Sequence, residues 1–374
     1  MEPGRGARVA RAPSPTPMRL AIVGAGPAGL AAAHALQDAD VQTVAFEKSR
    51  GVSGRAATRW HDAPGPDGAP FRWRYDHGAQ YLSPDADGPS ARLVRDRLPS
   101  DGLVEVEGAV WPFSGDGTLR PDRQRTETGP RWTYRDGIAD LGRRLRDATP
   151  GLDLRLQTRV ARLVRESDGW AVETEEGERH GGFDAVLLTA PAPQTAALLQ
   201  DSDLGDAGAD GLAEAAGAAE YREQFTVVWA FGEALERPGD FYALVNADGG
   251  EHAVAWLAFE SDKPGRAPEG ATLLLAQMGQ AWTRDRFEAD REAVVADAAG
   301  AVAGLLGGPL PAPLWTDTQR WRYSLPDGRA DTDRLEAAAR HGLFFAGDWT
   351  AGKGRVHLAL EEGLAAAERI RGQL

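Results

Sequence analysis

Gly24, Gly26 and Gly29, in the stretch AIVGAGPAGLAAAHAL (21–36), stand at G-x-G-x-x-G spacing. The chemistry such a turn performs is recognition of a pyrophosphate. The first glycine permits the tight turn, the second lets the backbone approach the phosphates, and the third lets helix and strand pack closely. Pro27 and Ala28 open the helix whose N-terminal N–H groups and dipole favour an anion. Glu47, 18 residues beyond Gly29, stands where a carboxylate can take both ribose hydroxyls, and its charge disfavours a 2′-phosphate. Directly behind it, EKSRGVSGRAATR (47–59) supplies Lys48, a second glycine turn ending at Gly54, and the Arg55 guanidinium fork suited to phosphate. The other end of the chain repeats the plan in FFAGDWTAGKGRVHLALEEGLAAAERI (344–370). Asp348 follows a strand and Gly347, where a carboxylate can accept from ribityl or ribose hydroxyls. Beyond Arg355, a helix beginning near Val356 can aim its N–H groups at an electron-rich ring edge. One long ligand held at both chain ends is FAD's requirement more than NAD's.

The elements that must position these residues follow from periodicity. Arg19–Val23 reads as a strand, Ala28–Asp38 as a helix and Val41–Phe46 as a second strand, the spacing of a right-handed parallel crossover. Residues 60–70 and 114–130, rich in Gly and Pro or in polar residues, read as loops, and 138–147 as a helix on Ile138, Leu141 and Leu145. Strands are expected within 152–166, 169–177 and 183–190. A loop running into a helix is expected over 201–219, strands at 225–231, 253–259 and 271–278, and helices at about 284–306 and 356–371. A nucleotide-binding unit opens the chain and a strand–glycine–helix unit closes it. The order predicts one domain made of both ends (18–100, 152–195 and 330–374) with a substrate domain inserted (101–151 and 196–329).

The formal charge of −14 argues against a nucleic-acid partner and an anionic membrane surface. No run approaches the roughly 18 apolar residues of a membrane span. Lysine occurs only at 48, 263 and 353, an arginine-for-lysine bias that fits a high-GC source and is also compatible with a salt-adapted one. The chain has no cysteine, which excludes disulfides, thiolate catalysis, cysteine metal sites and a cysteine-tethered flavin. No metal site is expected. Residues 1–17 lack the apolar core of a secretory signal and read as a disordered tail, with Met18 an alternative start, so a cytoplasmic protein is expected.

With those residues in hand, the chain resembles the FAD-dependent amine oxidase superfamily and, within it, the renalase-like flavoproteins. GAGPAGL and EKSRGVSGRAATR resemble the family's opening, and RYDHGAQYLSP (74–84) its D-x-G-A-Q-Y segment, with Asp76, Gly78, Ala79, Gln80 and Tyr81 in place. LLTAPAPQT (187–195), SDKPGR (261–266), RWRYSLP (320–326) and GDWTAGKGRV (347–356) resemble later motifs. The GAQY, KPGR and RWRY combination is the narrower signal. The resemblance implies an α/β fold: a Rossmann-type FAD-binding domain of p-hydroxybenzoate hydroxylase/amine oxidase-like topology with an inserted mixed α+β substrate domain. It implies non-covalent FAD, held also by Ala79, Gln80, Tyr81 and Val160, in a monomer or homodimer. It also implies oxidation of 2- or 6-dihydro-NAD(P) isomers by hydride transfer to flavin N5, with O2 reduced to H2O2. Two departures, a Pro/Gly insertion at 63–70 and the acidic GKGRVHLALEEG, fall where substrate access would be set.

Hydride transfer from a dihydropyridine needs no general base, because the product aromatises without losing a separate proton; the protein need only position the ring. The alternative, an amine oxidase or dehydrogenase, calls for an aromatic cage and often a lysine bonded through water to flavin N5, for which Lys263 is the candidate, with a solvated turn lysine as the plainer reading. Gln80, Tyr81, Trp321 and Trp349 are the other cavity candidates, and His77 and His357 read as structural histidines or flavin contacts. A nucleotide substrate predicts that Arg320 or Arg322 faces the cavity. A third reading is a flavin-binding sensor without turnover.

Overall fold

In the computed structural model, which describes residues 17–123, 129–247 and 251–373, strand Met18–Val23 is buried over its last four residues and runs into the glycine turn. Pro27 begins helix Pro27–Leu36, a position where its missing N–H removes no intrahelical bond and its fixed φ suits the helix. Strand Val41–Phe46 then pairs in parallel with the first, from Met18 opposite Val41 to Val23 opposite Phe46. The sheet is completed by segments far away in sequence. Its order is Leu343–Phe345, Ala185–Leu188, Met18–Val23, Val41–Phe46, Asp153–Arg155, and every pairing is parallel. The runs AVLL and LFF are buried throughout, as strands covered on both faces require.

One face is covered by helices. The closing helix Val356–Arg371 packs Ala366, Ala367 and Ile370 into the cluster that holds Ala28, Ala32 and Leu36 of the opening helix. The crossing is so close that a Cβ on Gly363 would lie 2.1 Å from the Ala28 carbonyl oxygen, so any side chain there would wedge the helices apart. Over the other face lies an antiparallel sheet of Val160–Glu166, Gly169–Thr174 and Arg179–Phe183, which contributes Leu163, Trp170, Val172 and Phe183 to the cluster of Val23, Phe46 and Val186.

A second large sheet runs in the order Trp315–Asp327, Glu220–Phe231, Thr272–Met278, Val254–Phe259, Ala243–Asn246, Val110–Phe113, antiparallel except for its last pair. Period-two alternation sends Val227 and Trp229 to one face, where Val294, Ala298 and Val302 of helix Arg291–Leu306 cover them. Val228 and Ala230 face the other way, against Trp73 and Tyr75.

Those two aromatics correct the expectation of a loop over 60–70. Arg59–Pro64 and Pro70–Tyr75 form a hairpin, with only 65–69 left to the turn, closed by Gly65 N–H donating to Ala69 O at 2.8 Å. The helix expected over 284–306 is two, Gln280–Asp285 and Arg291–Leu306, because Asp290 caps the second by accepting from Ala293 N–H at 2.9 Å. The strand expected at 225–231 begins at Glu220, and RWRYSLP lies on a thirteen-residue strand that the sequence reading did not assign. The tail expected over 1–17 falls, Pro17 aside, outside the described residues, as does 124–128 of the expected 114–130 loop. Among the described residues no helix is long and apolar enough to cross a membrane, and no group of three or more acidic residues and histidines is placed to hold a metal ion.

Candidate active site

The glycine turn is braced from the tip of the second strand. Glu47, 7% exposed, accepts from Ala25 N–H at 2.9 Å through Oε2 and from Ser49 N–H at 2.8 Å through Oε1. A Cβ on Gly29 would lie 2.2 Å from the Gly24 carbonyl oxygen, so the helix can start at this distance from the strand only with glycine there. Gly26 differs: nothing lies within 4 Å of where its Cβ would be, which leaves open space over the helix N-terminus. The second glycine turn closes on the first, since Ser53 N–H donates to Ala25 O at 2.9 Å and a Cβ on Gly54 would stand 3.5 Å from Gly26 Cα. The 47–59 stretch is therefore part of the same cradle, although Lys48 itself is exposed. Val160, half-buried, begins the strand just past Thr158, whose N–H donates to Glu47 O at 2.9 Å.

Arg55 and Asp348, assigned from opposite ends of the chain, meet. The guanidinium donates to both carboxylate oxygens, at 2.9 and 2.8 Å, and Asp348 is 6% exposed. Gly347 takes a positive φ of 157° ahead of the short helix Asp348–Ala351, a conformation that favours glycine, and a Cβ there would lie 2.5 Å from Trp349 Nε1. Behind Asp348, Trp349 is fully buried beside Phe345 with its Nε1 unpartnered among the described residues, which places it in the core of the parallel-sheet domain. Arg355 is exposed at the N-terminus of the closing helix and Val356 is buried. His357 is half-buried, with a buried Nδ1 that has no partner among the described residues. The acidic residues of that helix are absorbed structurally: Glu361 accepts from Ser90 Oγ at 2.5 Å and Glu362 from Thr350 Oγ1 at 2.6 Å.

The 76–81 segment is clamped between the two halves. Ala79 N–H donates to Arg55 O at 3.0 Å on one side. On the other, Thr226 Oγ1 and Trp321 Nε1 donate to His77 O at 2.8 and 3.0 Å, and Gln277 Nε2 donates to Gly78 O at 2.6 Å. Beneath it lies a charge cluster that sequence reasoning missed in part. Asp76, Glu260, Lys263 and Arg266 have no exposed side-chain surface, and their formal charges cancel. Lys263 Nζ is 2.7 Å from Glu260 and 3.2 Å from Asp76, and Arg266 donates to Asp76 at 2.7 Å. Asp76 also accepts from Thr58 Oγ1 at 2.7 Å and Ile138 N–H at 2.9 Å, while its own N–H donates to Glu260 at 3.0 Å. Burial opposes the Asp76 charge, but Arg266 and Lys263 hold its pKa below the usual carboxylate value; for Glu260 burial prevails and pushes the pKa up. Lys263 is thus not a solvated turn lysine. It donates to Gln80 O at 2.9 Å and fixes Gln80, whose Nε2 in turn donates to Asp76 O.

Tyr81 meets Trp256 edge-on at 6.1 Å. His77 is stacked on Trp321 at 5.3 Å, with its Nδ1 buried and unpartnered among the described residues. Arg320 and Arg322 occupy the opposite face of that strand, both over Phe287, so the expectation that they face the cavity is corrected by strand alternation.

Burial, with Arg59 nearby, pushes the His77 pKa down to about 4 from 6.5. From pH 6.5 down to 4 the unfolded chain then binds a proton that the folded one refuses. Stability is full above pH 6.5 and is lost as the pH falls, by about 3 kcal/mol in all. His77→Phe keeps a ring on Trp321 and removes the titration. Its urea midpoint is expected to fall less steeply with acid than the wild type's; parallel slopes would refute the assignment.

A parallel sheet with a phosphate-type glycine turn, an acid at the tip of the second strand and a closing strand–glycine–helix unit defines a dinucleotide-binding α/β protein. A family model described as flavin containing amine oxidoreductase matches residues 105–371, and one described as an NAD(P)-binding Rossmann-like domain matches residues 22–97. The chain belongs to the flavin containing amine oxidoreductase family and is a flavin-dependent oxidoreductase of a small-molecule substrate. Solved structures of similar fold include reduced UDP-galactopyranose mutase, with 12% identity, a TM-score of 0.71, and coverage of 96% of this chain and 94% of that one. Another is an oxidoreductase from Methanosarcina mazei (15%, 0.68, 94% and 100%), and a third is putrescine oxidase bound to putrescine (16%, 0.65, 95% and 99%).

Proposed function

We propose that the protein is a renalase-like oxidase that binds FAD without a covalent tether and oxidises 2- or 6-dihydro isomers of NAD(P). The observation that carries the reading is the state of Lys263. An amine oxidase of the lysine–water type needs that ammonium at the flavin; here it is enclosed with Asp76 and Glu260 and spent on holding Gln80. Hydride abstraction from a dihydropyridine makes no such demand.

The residues present fit the cofactor: open space stands at Gly26, Glu47 braces the turn beside it, and Arg55, next to Gly54, pairs with Asp348. Gly24, Gly26, Gly29 and the helix N-terminus at Pro27 and Ala28 would take the pyrophosphate, and Glu47 the ribose. Arg55, Asp348, Lys48, Gly54, Val160, Gly347, Arg355 and Val356 would take the phosphate and ribityl groups. Ala79, Gln80 and Tyr81 would face the isoalloxazine, with Trp321 walling the substrate side. When bound, FAD supplies a hydride acceptor at N5 that O2 restores with release of H2O2. The chain's own part is to hold the 76–81 segment rigid and to place aromatic surface against the donor ring.

One observation favours the second reading, a small hydride donor such as an amine: Arg320 and Arg322, the arginines expected to meet a nucleotide's phosphates, point away. Anaerobic mixing separates the two. Fast bleaching of the flavin bands by 2- or 6-dihydro-NAD, and none by 4-dihydro-NAD or amines, is the expected result. Bleaching by an amine alone replaces the reading with the second, and a yellow protein that no donor bleaches returns it to a binding role.

A further inference from the structure

Tyr221 lies at the start of strand Glu220–Phe231 in the six-stranded sheet, yet its hydroxyl reaches out of that sheet to donate to Asp348 Oδ1 at 3.0 Å. No motif in the sequence includes it. Its ring is overlaid by the Arg55 guanidinium at 5.2 Å. Arg55 also donates to Ser324 O at 3.1 Å, on the strand paired with Tyr221's own. The Arg55–Asp348 pair, built from the two ends of the chain, is therefore clasped by two neighbouring strands of the other sheet.

A carboxylate offers about four acceptor positions. Two are taken by Arg55 and one by Tyr221, so the direction of the remaining one is fixed by both. A charge-assisted bond from a buried hydroxyl holds such a group in one rotamer more firmly than a neutral one does. We propose that Tyr221 is a positioning residue for cofactor retention: it sets the orientation in which Asp348 accepts from the flavin's hydroxyl-bearing chain, and so couples the seating of the second sheet to the hold on the cofactor. This rests on the reading of Asp348 as a cofactor acceptor.

The test is the rate at which FAD leaves the full-length holoprotein on dilution, read as recovered flavin fluorescence, for wild type, Tyr221→Phe, Asp348→Ala and the double variant. Tyr221→Phe is expected to release FAD three- to tenfold faster and Asp348→Ala more than tenfold faster. The double variant is expected to be no faster than Asp348→Ala, because Tyr221 acts through that carboxylate. A purely structural tyrosine would instead add its effect in both backgrounds, and that additivity, or a wild-type rate for Tyr221→Phe, overturns the proposal. If Asp348→Ala itself releases FAD at the wild-type rate, or the wild type holds no FAD, the reading of Asp348 fails first and takes this one with it. Should Asp348→Ala not fold, Asp348→Ser removes the same carboxylate and completes the cycle.

Discussion

Lys263→Met is expected to lower the free energy of unfolding by about 3–5 kcal/mol, the range for breaking a buried ion pair by removing one partner. Methionine fills nearly the same volume, so the loss comes from charge and not from a cavity. Asp76 and Glu260 would be left with Arg266 alone, in a place where none of the four side chains has exposed surface. The variant should also show which acid yields. Glu260 already has its pKa raised by burial, so it takes the proton. A group whose folded pKa lies above its unfolded value contributes stability that is full in acid and is lost as pH rises through the folded pKa. The penalty of Lys263→Met is therefore smallest in acid and grows towards neutral pH. Urea titrations at several pH values check it. A loss under 1 kcal/mol, or one that shrinks with rising pH, would show that the cluster does not carry the charge assigned to it.

Gly29→Ala is the second large effect. The new methyl would sit 2.2 Å from the Gly24 carbonyl oxygen and 3.1 Å from both Ile22 Cγ2 and Thr189 Oγ1. The first neighbour is backbone within the turn itself, so relief requires the turn to open. Overpacking of this kind costs about 1–3 kcal/mol or more, and here it also displaces the N–H groups proposed to hold the pyrophosphate. The purified variant is expected to carry less than a tenth of the wild type's flavin per chain by absorbance. A full complement of flavin would sink the placement of the cofactor at this turn.

Much of the cradle was legible because it is local. The opening strand, turn, helix and strand fall within a residue or two of the expected bounds, and Pro27 and the glycines mark the helix start in the sequence itself. The closing helix was equally plain. The hairpin at 59–75 was hidden because its first strand, RWHDAP, has no apolar alternation: Arg59, His61 and Ala63 alternate with Trp60 and Asp62, the tryptophan is exposed, and Pro64 and Pro70 flank the turn. The charge cluster was out of reach for a different reason: Asp76 and Glu260 are 184 residues apart, and nothing local marks Glu260 as buried. A signal did exist in DKPGR, where Lys263 and Arg266 sit in a turn between two strongly apolar strands. The direction of Arg320 and Arg322 was available too, since any strand through RWRY must put its arginines opposite Trp321 and Tyr323.

The order of strands in the parallel sheet has a consequence for the time course of synthesis. Its central strand is made first, its neighbours near residues 41 and 185, and one edge, Leu343–Phe345, only about 300 residues after the opening unit, followed by the helix that seals Gly363 against Ala28. A growing chain emerges at about 5–20 residues per second. For some tens of seconds the nascent polypeptide therefore carries an open sheet edge and a bare alanine-rich helix, with the completing pieces not yet synthesised. The second sheet has most of its strands by residue 278 and can begin to collapse earlier. The parallel sheet and the helix that covers it are complete only once residue 371 has been made, and conditions that slow elongation lengthen the interval in which the open edge is exposed to self-association.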